Sequence, residues 1–294
     1  MKTRIIVFGS TGMLGGAVSR VLSREPAFEV LGTHRGAASS PLFFDGLGPD
    51  RTLGRLLAGA SFAINCIGLT KPEIREGDPA SLLKAERINS ELPHRLAEAG
   101  LKAGARLIHI STDGVFSGRA GPYDEASRPD PVDAYGRTKL AGEIQGPNAL
   151  TLRCSIIGPD SARKRGLFEW FRSLKPGDSA TGYTNHLWNG VTTFQFARLC
   201  RLIVSGGHFD SLVSVSSLRH LCPNETVTKH QLLESFNARL AGRVTILPRA
   251  AEPVCDRTLR SRWSDLNGLL GREQLADALD EMLAAQEISE AYPS

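Results

Sequence analysis

Short unbroken apolar runs alternate with stretches of helical periodicity along the first half of the chain. The first run, Thr3 to Phe8, closes on Ile5-Ile6-Val7-Phe8, the pattern of a strand buried on both faces of a parallel sheet. Gly9 to Gly15 (GSTGMLG) follows, and then Val18, Val21 and Leu22 recur at helical spacing, in a helix that must end before Pro26. Phe28 to Gly32 reads as a second strand, Leu42-Phe43-Phe44 as a short third, Ser61 to Ile67 as a fourth and Arg106 to Ile110 as a fifth. A sixth runs from Ala149 to Ile157 and ends at Gly158-Pro159. Asp78-Pro79 starts a helix, an N-cap side chain followed by proline at the first helical position, and this helix is expected to reach about Ala103. Another begins near Tyr135 and continues through Leu140 and Glu143, after a Gly- and Pro-rich loop from Gly118 to Pro131. Strand alternating with helix predicts an α/β fold, a doubly wound parallel Rossmann sheet.

The pattern weakens in the second half. Gly166 to Leu174 suggests a short helix, and Tyr183 to Thr193 a loop with an Asn-Gly turn at Asn189-Gly190. Phe194 to Ser205 is amphipathic and closed by Gly206-Gly207, and Leu212 to Ser216 reads as a strand. Thr228 with Gln231 forms a capping box for a helix to about Ala241. A strand at Val244 to Leu247 and a final helix from Arg272 to Gln286 complete the pattern. The expected division is a dinucleotide-binding Rossmann domain over 1–158 and a smaller C-terminal substrate-binding lobe over 159–294, partly interleaved with it.

Composition narrows the classes. With 294 residues and 41% hydrophobic side chains, the chain can bury this sheet and an attached lobe. No apolar run approaches the ~18 residues of a membrane span, so no membrane association is expected. No signal-peptide pattern precedes the first strand, which makes the expected compartment cytoplasmic. A net charge of +4, spread along the chain, gives no nucleic-acid footprint. The five cysteines are scattered and never in CxxC spacing, so neither a disulfide framework nor a metal site is indicated. Cys66 and Cys154 lie in strand-like runs and read as small buried hydrophobes. No oligomeric state follows from the sequence; a homodimer is one that it allows.

Two stretches carry chemistry. Gly9, Thr11, Gly12, Met13, Leu14 and Gly15 join the first strand to its helix with GxxGxxG spacing, where glycines let backbone approach a pyrophosphate and the helix N-terminus supplies N–H groups. Where an acid for a ribose 2′-hydroxyl would often stand, this chain has Thr33-His34-Arg35. Arg35 is a candidate partner for a 2′-phosphate, favouring NADPH over NADH, or else an exposed loop arginine. Asp45 is placed either to meet an adenine edge or to cap a helix. Cys66, Ile67 and Gly68 end the fourth strand where backbone would run beside the nicotinamide ribose.

The second stretch, Ser111 to Lys139, follows the fifth strand. Tyr135 and Lys139 are four residues apart on a helix and so share a face, where the Thr112 hydroxyl can meet them. A phenol, an ammonium and a small hydroxyl form a proton-transfer set suited to carbonyl reduction. Asn89, inside the preceding helix, is either a solvated surface residue or faces this strand.

GSTGMLG, AERIN ending at Asn89, STDGVFSG at Ser111 to Gly118 and PYDEASRPDPVDAYGRTKLAGE at Pro122 to Glu143 together resemble the extended short-chain dehydrogenase/reductase family. Within it, the likeness is to the dTDP-4-dehydrorhamnose reductases and related nucleotide-sugar reductases. The resemblance implies hydride transfer from NAD(P)H to a keto-sugar carbonyl, with Tyr135 as proton donor, Lys139 its lysine, Thr112 the hydroxyl and Asn89 a relay member. It also implies that Lys139 and, in the oxidised state, the positive nicotinamide ring both favour the tyrosinate of Tyr135; bringing its pKa from near 10 toward neutrality takes roughly 4 kcal/mol. Asp113, Val115 and Phe116 are the residues expected on the substrate side of that motif. Arg163, Lys164, Arg165, Arg257 and Arg260 are candidate cations for a substrate diphosphate, or surface charges. The family's acidic-Gln-x-Gly-x-Pro-Thr segment is replaced by Asn185 to Thr192, so that Trp188 is new and either stacks on a base or packs in the lobe. The rivals are an epimerase of the same superfamily, which would retain its cofactor, and a non-catalytic NADP-binding regulatory subunit.

Overall fold

Ile5, Ile6, Val7 and Phe8 are all inaccessible to solvent, and they place β1 (Thr3–Phe8) in the interior of a six-stranded sheet. The computed structural model describes residues 1–36, 39–40, 42–160, 163–240, 242–271 and 273–291. β1 pairs in parallel with β2 (Phe28–Gly32) on one side and β3 (Phe62–Asn65) on the other. The sheet continues through β4 (Arg106–Thr112) and β5 (Ala149–Cys154) to an edge strand, Leu218–His220, again all in parallel. Strand order therefore reverses at β1 and β3, the position where open α/β sheets receive ligands beyond their carboxyl ends.

Helices cover both faces. α1 (Met13–Ser23) and the helix Thr193–Ser205 bury Val18, Leu22, Phe196 and Ile203 against one face. On the other, α2 (Arg51–Leu57) contributes Leu53 and Leu57. The long helix expected from Asp78 to Ala103 is present, but a π-helical turn at Glu86–Glu91 divides it into α3 (Pro79–Ala85) and α4 (Leu92–Ala103). Asp78 caps α3 by accepting from the Ala80 N–H at 3.0 Å, and Pro79 follows it as expected. α5 (Ala134–Ala141) carries Tyr135 and Lys139.

Four expectations need correction. Leu42 to Phe44 is not a strand: Phe43 makes one isolated bridge to His34, while Phe44 turns inward to pack edge-on against Phe8 at 5.1 Å. The apolar run thus seals the core beneath α2 and does not pair. Leu212 lies in a helix, Phe209–Val215, in which Phe209 and Leu212 bury one face at i and i+3; the neighbouring strand is Leu218–His220. The sixth strand breaks at Ser155, because Ile156–Ile157 leaves the main sheet to pair with Val191–Thr192. The segment expected to loop from Tyr183 to Thr193 contains that strand and another, His186–Trp188.

The remaining second-half elements form a separate core in which Phe168, Phe171, Trp188, Leu232 and Phe236 pack together. Thr228 and Gln231 cap the helix Lys229–Arg239 reciprocally, as their spacing predicts. Ala241 and Arg272, proposed above as helix ends, lie outside the described residues; the final helix spans Leu275–Ala291. The lobe is tied to the sheet by the loop before α5: Tyr123 N–H donates to the Thr258 carbonyl at 2.9 Å and its hydroxyl accepts from Gly118 and Ala120. Among the described residues, no helix is long and apolar enough to cross a membrane.

Candidate active site

The glycine turn is shaped by two requirements. Gly9 has φ +83°, in the left-handed region that favours glycine. A Cβ on Gly15 would collide with the Gly9 carbonyl, so the start of α1 lies directly against the end of β1. Gly12 precedes α1 without a side-chain cap, leaving its first N–H groups directed outward, while Thr11 is exposed and Met13 half-buried. Leu14 packs its side chain into the sheet core. This is a cradle suited to a pyrophosphate. Gly15→Ala is expected to destabilise the fold by about 1–3 kcal/mol through the collision and to weaken NADP+ affinity, measured by thermal melting and calorimetric titration.

Arg35 stands exposed after β2. Asp45 accepts from the Leu47 N–H at 3.1 Å, which makes a local turn; the helix-cap reading falls, since α2 begins only at Arg51. Cys66, Ile67 and Gly68 follow β3 opposite the glycine turn, and a Cβ on Gly9 would come within 2.9 Å of the Ile67 side chain. Two asparagines fix this segment. Asn65 accepts from Ile67 N–H at 3.1 Å, and Asn89 accepts from Leu69 N–H at 2.8 Å while donating to the Leu69 carbonyl at 3.0 Å.

Asn89 is therefore not a solvated surface residue. It is 1% exposed, sits in the π-helical turn, and also donates to the Thr138 hydroxyl at 3.2 Å. Its amide is committed to Leu69 and Thr138, so the side chain holds the cofactor-side loop against α5. A Cβ on Gly142 would strike the Asn89 carbonyl, and one on Gly136 the Gly114 carbonyl, so α5 is seated against both neighbours.

Thr112 ends β4; its hydroxyl donates to Asp113 at 3.1 Å and accepts from Gly114 N–H at 3.0 Å. It also lies near enough to the Tyr135 phenol to pull its pKa down. Asp133 caps α5 through Gly136 N–H at 2.8 Å, and Glu76 takes Ala134 N–H at 2.6 Å, fixing the turn that bears Tyr135. Part of the Tyr135 ring stays accessible, but the protein closes around its hydroxyl, and this desolvation pushes the phenol up to about 12, against the pull of Thr112. Lys139 is 4% exposed and donates to the Ile110 carbonyl at 2.6 Å. Burial brings it down to about 8, opposed by the charge of Glu143 and by Cys154 and Cys66. The expected lowering of Tyr135 by Lys139 is thus not what the chain alone provides: the phenol is held protonated, and the ammonium is engaged with backbone.

The structure places the expected substrate contacts as follows. Val115 and Phe116 have no exposed surface; Phe116 stacks on Tyr123 at 4.1 Å, and both side chains belong to a small core under the loop. Trp188 packs in the lobe core, as the second of its two readings held, donating its indole N–H to Ser155 at 2.9 Å. Arg163 and Arg165 both turn to Glu73, at 3.9 and 2.8 Å. Asp113, next to Thr112, is half-buried.

A profile of the RmlD substrate binding domain matches residues 3–261. The chain belongs to the RmlD substrate binding domain family. Over nearly its whole length it is similar to a protein of Haloferax volcanii named probable low-salt glycan biosynthesis reductase Agl14, 29% identical and covering 96% of each chain. A dTDP-4-dehydrorhamnose reductase of Mycolicibacterium smegmatis is 37% identical over 61% of this chain and 53% of its own. The fold matches that of dTDP-4-dehydrorhamnose reductase from Bacillus anthracis, solved in complex with NADP, at a TM-score of 0.76 and 19% identity over 97% of this chain and 99% of that one. In this RmlD-family chain, the matched span contains the glycine turn, Thr112, Tyr135 and Lys139.

Proposed function

We propose that the chain is an NAD(P)H-dependent reductase of a 4-keto group on a nucleotide-activated sugar, with NADPH preferred. The observation that carries this is the meeting of Thr112, Tyr135 and Lys139 at the carboxyl end of β4, beside the switch point of the sheet where the glycine turn lies. Gly9, Gly12 and Gly15 would hold the cofactor pyrophosphate, Cys66 to Gly68 would line its nicotinamide end, and Arg35 would take a 2′-phosphate. A bound nicotinamide supplies the hydride for the carbonyl carbon.

The chain's own residues handle the proton. Thr112 presents a hydroxyl to the carbonyl oxygen and aligns it with Tyr135. The phenol, protonated at neutral pH, donates its proton to that oxygen as negative charge develops there. The tyrosinate left behind is stabilised by the Lys139 ammonium one helical turn away, and water restores the proton. Asp133, Glu76 and Asn89 hold α5 and the 66–69 segment in place.

The test is NADPH oxidation, followed at 340 nm (roughly the absorbance band of any reduced nicotinamide), against a panel of nucleotide 4-keto-sugars, with NADH alongside. Turnover on at least one member, with NADPH the better reductant, is the expected result. No oxidation on any member, together with a nucleotide that stays bound through purification, would replace this reading by the epimerase.

A further inference from the structure

A nucleotide-sugar brings a diphosphate with it, and three of the cations proposed from sequence to receive it are already occupied. Arg163 and Arg165 pair with Glu73, and Arg260 lies 3.5 Å from Asp124. Lys229 and Arg257 differ. Among the described residues, neither has a carboxylate within 4.0 Å, and the Arg257 Nε is buried without a hydrogen-bond partner.

Both are held firmly on the lobe side of the cleft. Lys229 opens the helix Lys229–Arg239, behind the Thr228–Gln231 capping box, and its ammonium lies 5.3 Å over the ring of Trp188. Trp188 is itself pinned by Ser155. Arg257 follows Asp256, whose N–H donates to the Gly118 carbonyl at 2.8 Å, and a Cβ on Gly118 would sit 3.1 Å from Arg257 Cγ. The two cations are near enough to act on each other and on the catalytic side. Lys229 feels the charges of Asp113 and Arg257, and Arg257 acts on Asp133, the cap of the Tyr135 helix. Burial brings the Lys229 ammonium down to about 8, the expected consequence of desolvating a cation beside another cation. Each residue is only partly buried.

We propose that Lys229 and Arg257 form an oxyanion subsite that receives the diphosphate of the nucleotide-sugar or a carboxylate on its sugar. Two cations with no carboxylate within 4.0 Å among the described residues, close enough to act on each other and on Asp113, the neighbour of the carbonyl-aligning Thr112, are suited to a doubly charged group that arrives with the substrate. This inference rests on the nucleotide-sugar reading above.

The test is calorimetric titration of the NADP+-saturated protein with UDP, dTDP, UDP-glucose, UDP-glucuronic acid, uridine and thymidine. It compares wild type with Lys229→Met, Arg257→Met and Lys229→Arg. Each methionine variant is expected to bind every diphosphate at least roughly tenfold more weakly, a loss of one charge-assisted contact, with Lys229→Arg retaining most of the affinity. A loss confined to UDP-glucuronic acid assigns the subsite to a sugar carboxylate. Unchanged affinities in both methionine variants, or a wild type that binds none of the probes, would overturn the proposal. NADP+ affinity and melting temperature verify folding, and if Lys229→Met fails to fold, Arg257→Met carries the same test. Charge-dependent binding without turnover on any keto-sugar would leave the subsite standing and overturn the reductase reading instead.

Discussion

Tyr135→Phe is expected to lower kcat by roughly 10²–10⁴-fold while NADPH affinity stays within about twofold of wild type. The substitution removes one hydroxyl and keeps the ring that packs at the head of α5, so the fold is expected to survive it. What is lost is the phenol beside Thr112, which carries a transferable proton at neutral pH. The pH dependence separates this from a structural effect. Lys139, brought down to about 8, carries its charge below that pH and loses it above. Because the charged form is the one that stabilises the tyrosinate, wild-type kcat is expected to fall as pH rises through about 8. The groups facing this ammonium are Glu143 just past the end of α5, Cys154 on β5, Cys66 after β3 and His109 on β4. Residual activity in Tyr135→Phe should lack that alkaline limb. Equal turnover in mutant and wild type, measured from pH 6 to 10 (about two units either side of the Lys139 transition), would remove Tyr135 from the mechanism.

The parts of this site legible in the sequence are those fixed by local rules. A glycine at a left-handed φ, a strand buried on both faces, a proline at a helix start and Tyr–Lys spacing each depend on a few adjacent residues, and β1, α1, β4 and α5 fall where those rules put them. The misreadings come from side chains whose role is decided at long range. Phe116 and Phe44 look alike in sequence to strand or ligand residues, but Tyr123 and Phe8 claim them. Leu212 sits in an apolar pentad that reads as a strand, yet Phe209 three residues earlier gives it a helical face to bury. Lys229 drew no notice because a lysine at a helix start is ordinarily solvated; only the Trp188 ring and Arg257, brought in from 41 and 28 residues away in sequence, make it unusual. The Thr228 capping box located its helix but could not say which way the first turn faces.

Glu143→Gln is expected to destabilise the protein by about 3–5 kcal/mol, the range for leaving one member of a buried ion pair without its partner. Arg153 and Glu143 have side chains only 3% and 8% exposed, joined by two hydrogen bonds of 2.7 Å. The same carboxylate accepts from Ser111 at 2.6 Å, on the strand position next to Thr112, and lies just past the end of α5, four residues after Lys139. With the carboxylate gone, the guanidinium stays buried between the Phe116 ring, 5.2 Å away, and His220. Arg153→Met combined with Glu143→Gln removes both charges, and its loss is expected to be well below the sum of the two single losses, as the buried pair repays little beyond its own desolvation. Urea unfolding of the two singles and the double gives the coupling directly; additive losses would show that the pair does not act as a unit. Glu143 also acts on the site, because its charge is the largest influence holding the Lys139 ammonium up against burial. The alkaline limb of kcat is therefore expected to move to lower pH in the double variant, which keeps the fold but lacks that charge, and a merely structural pair would leave it in place.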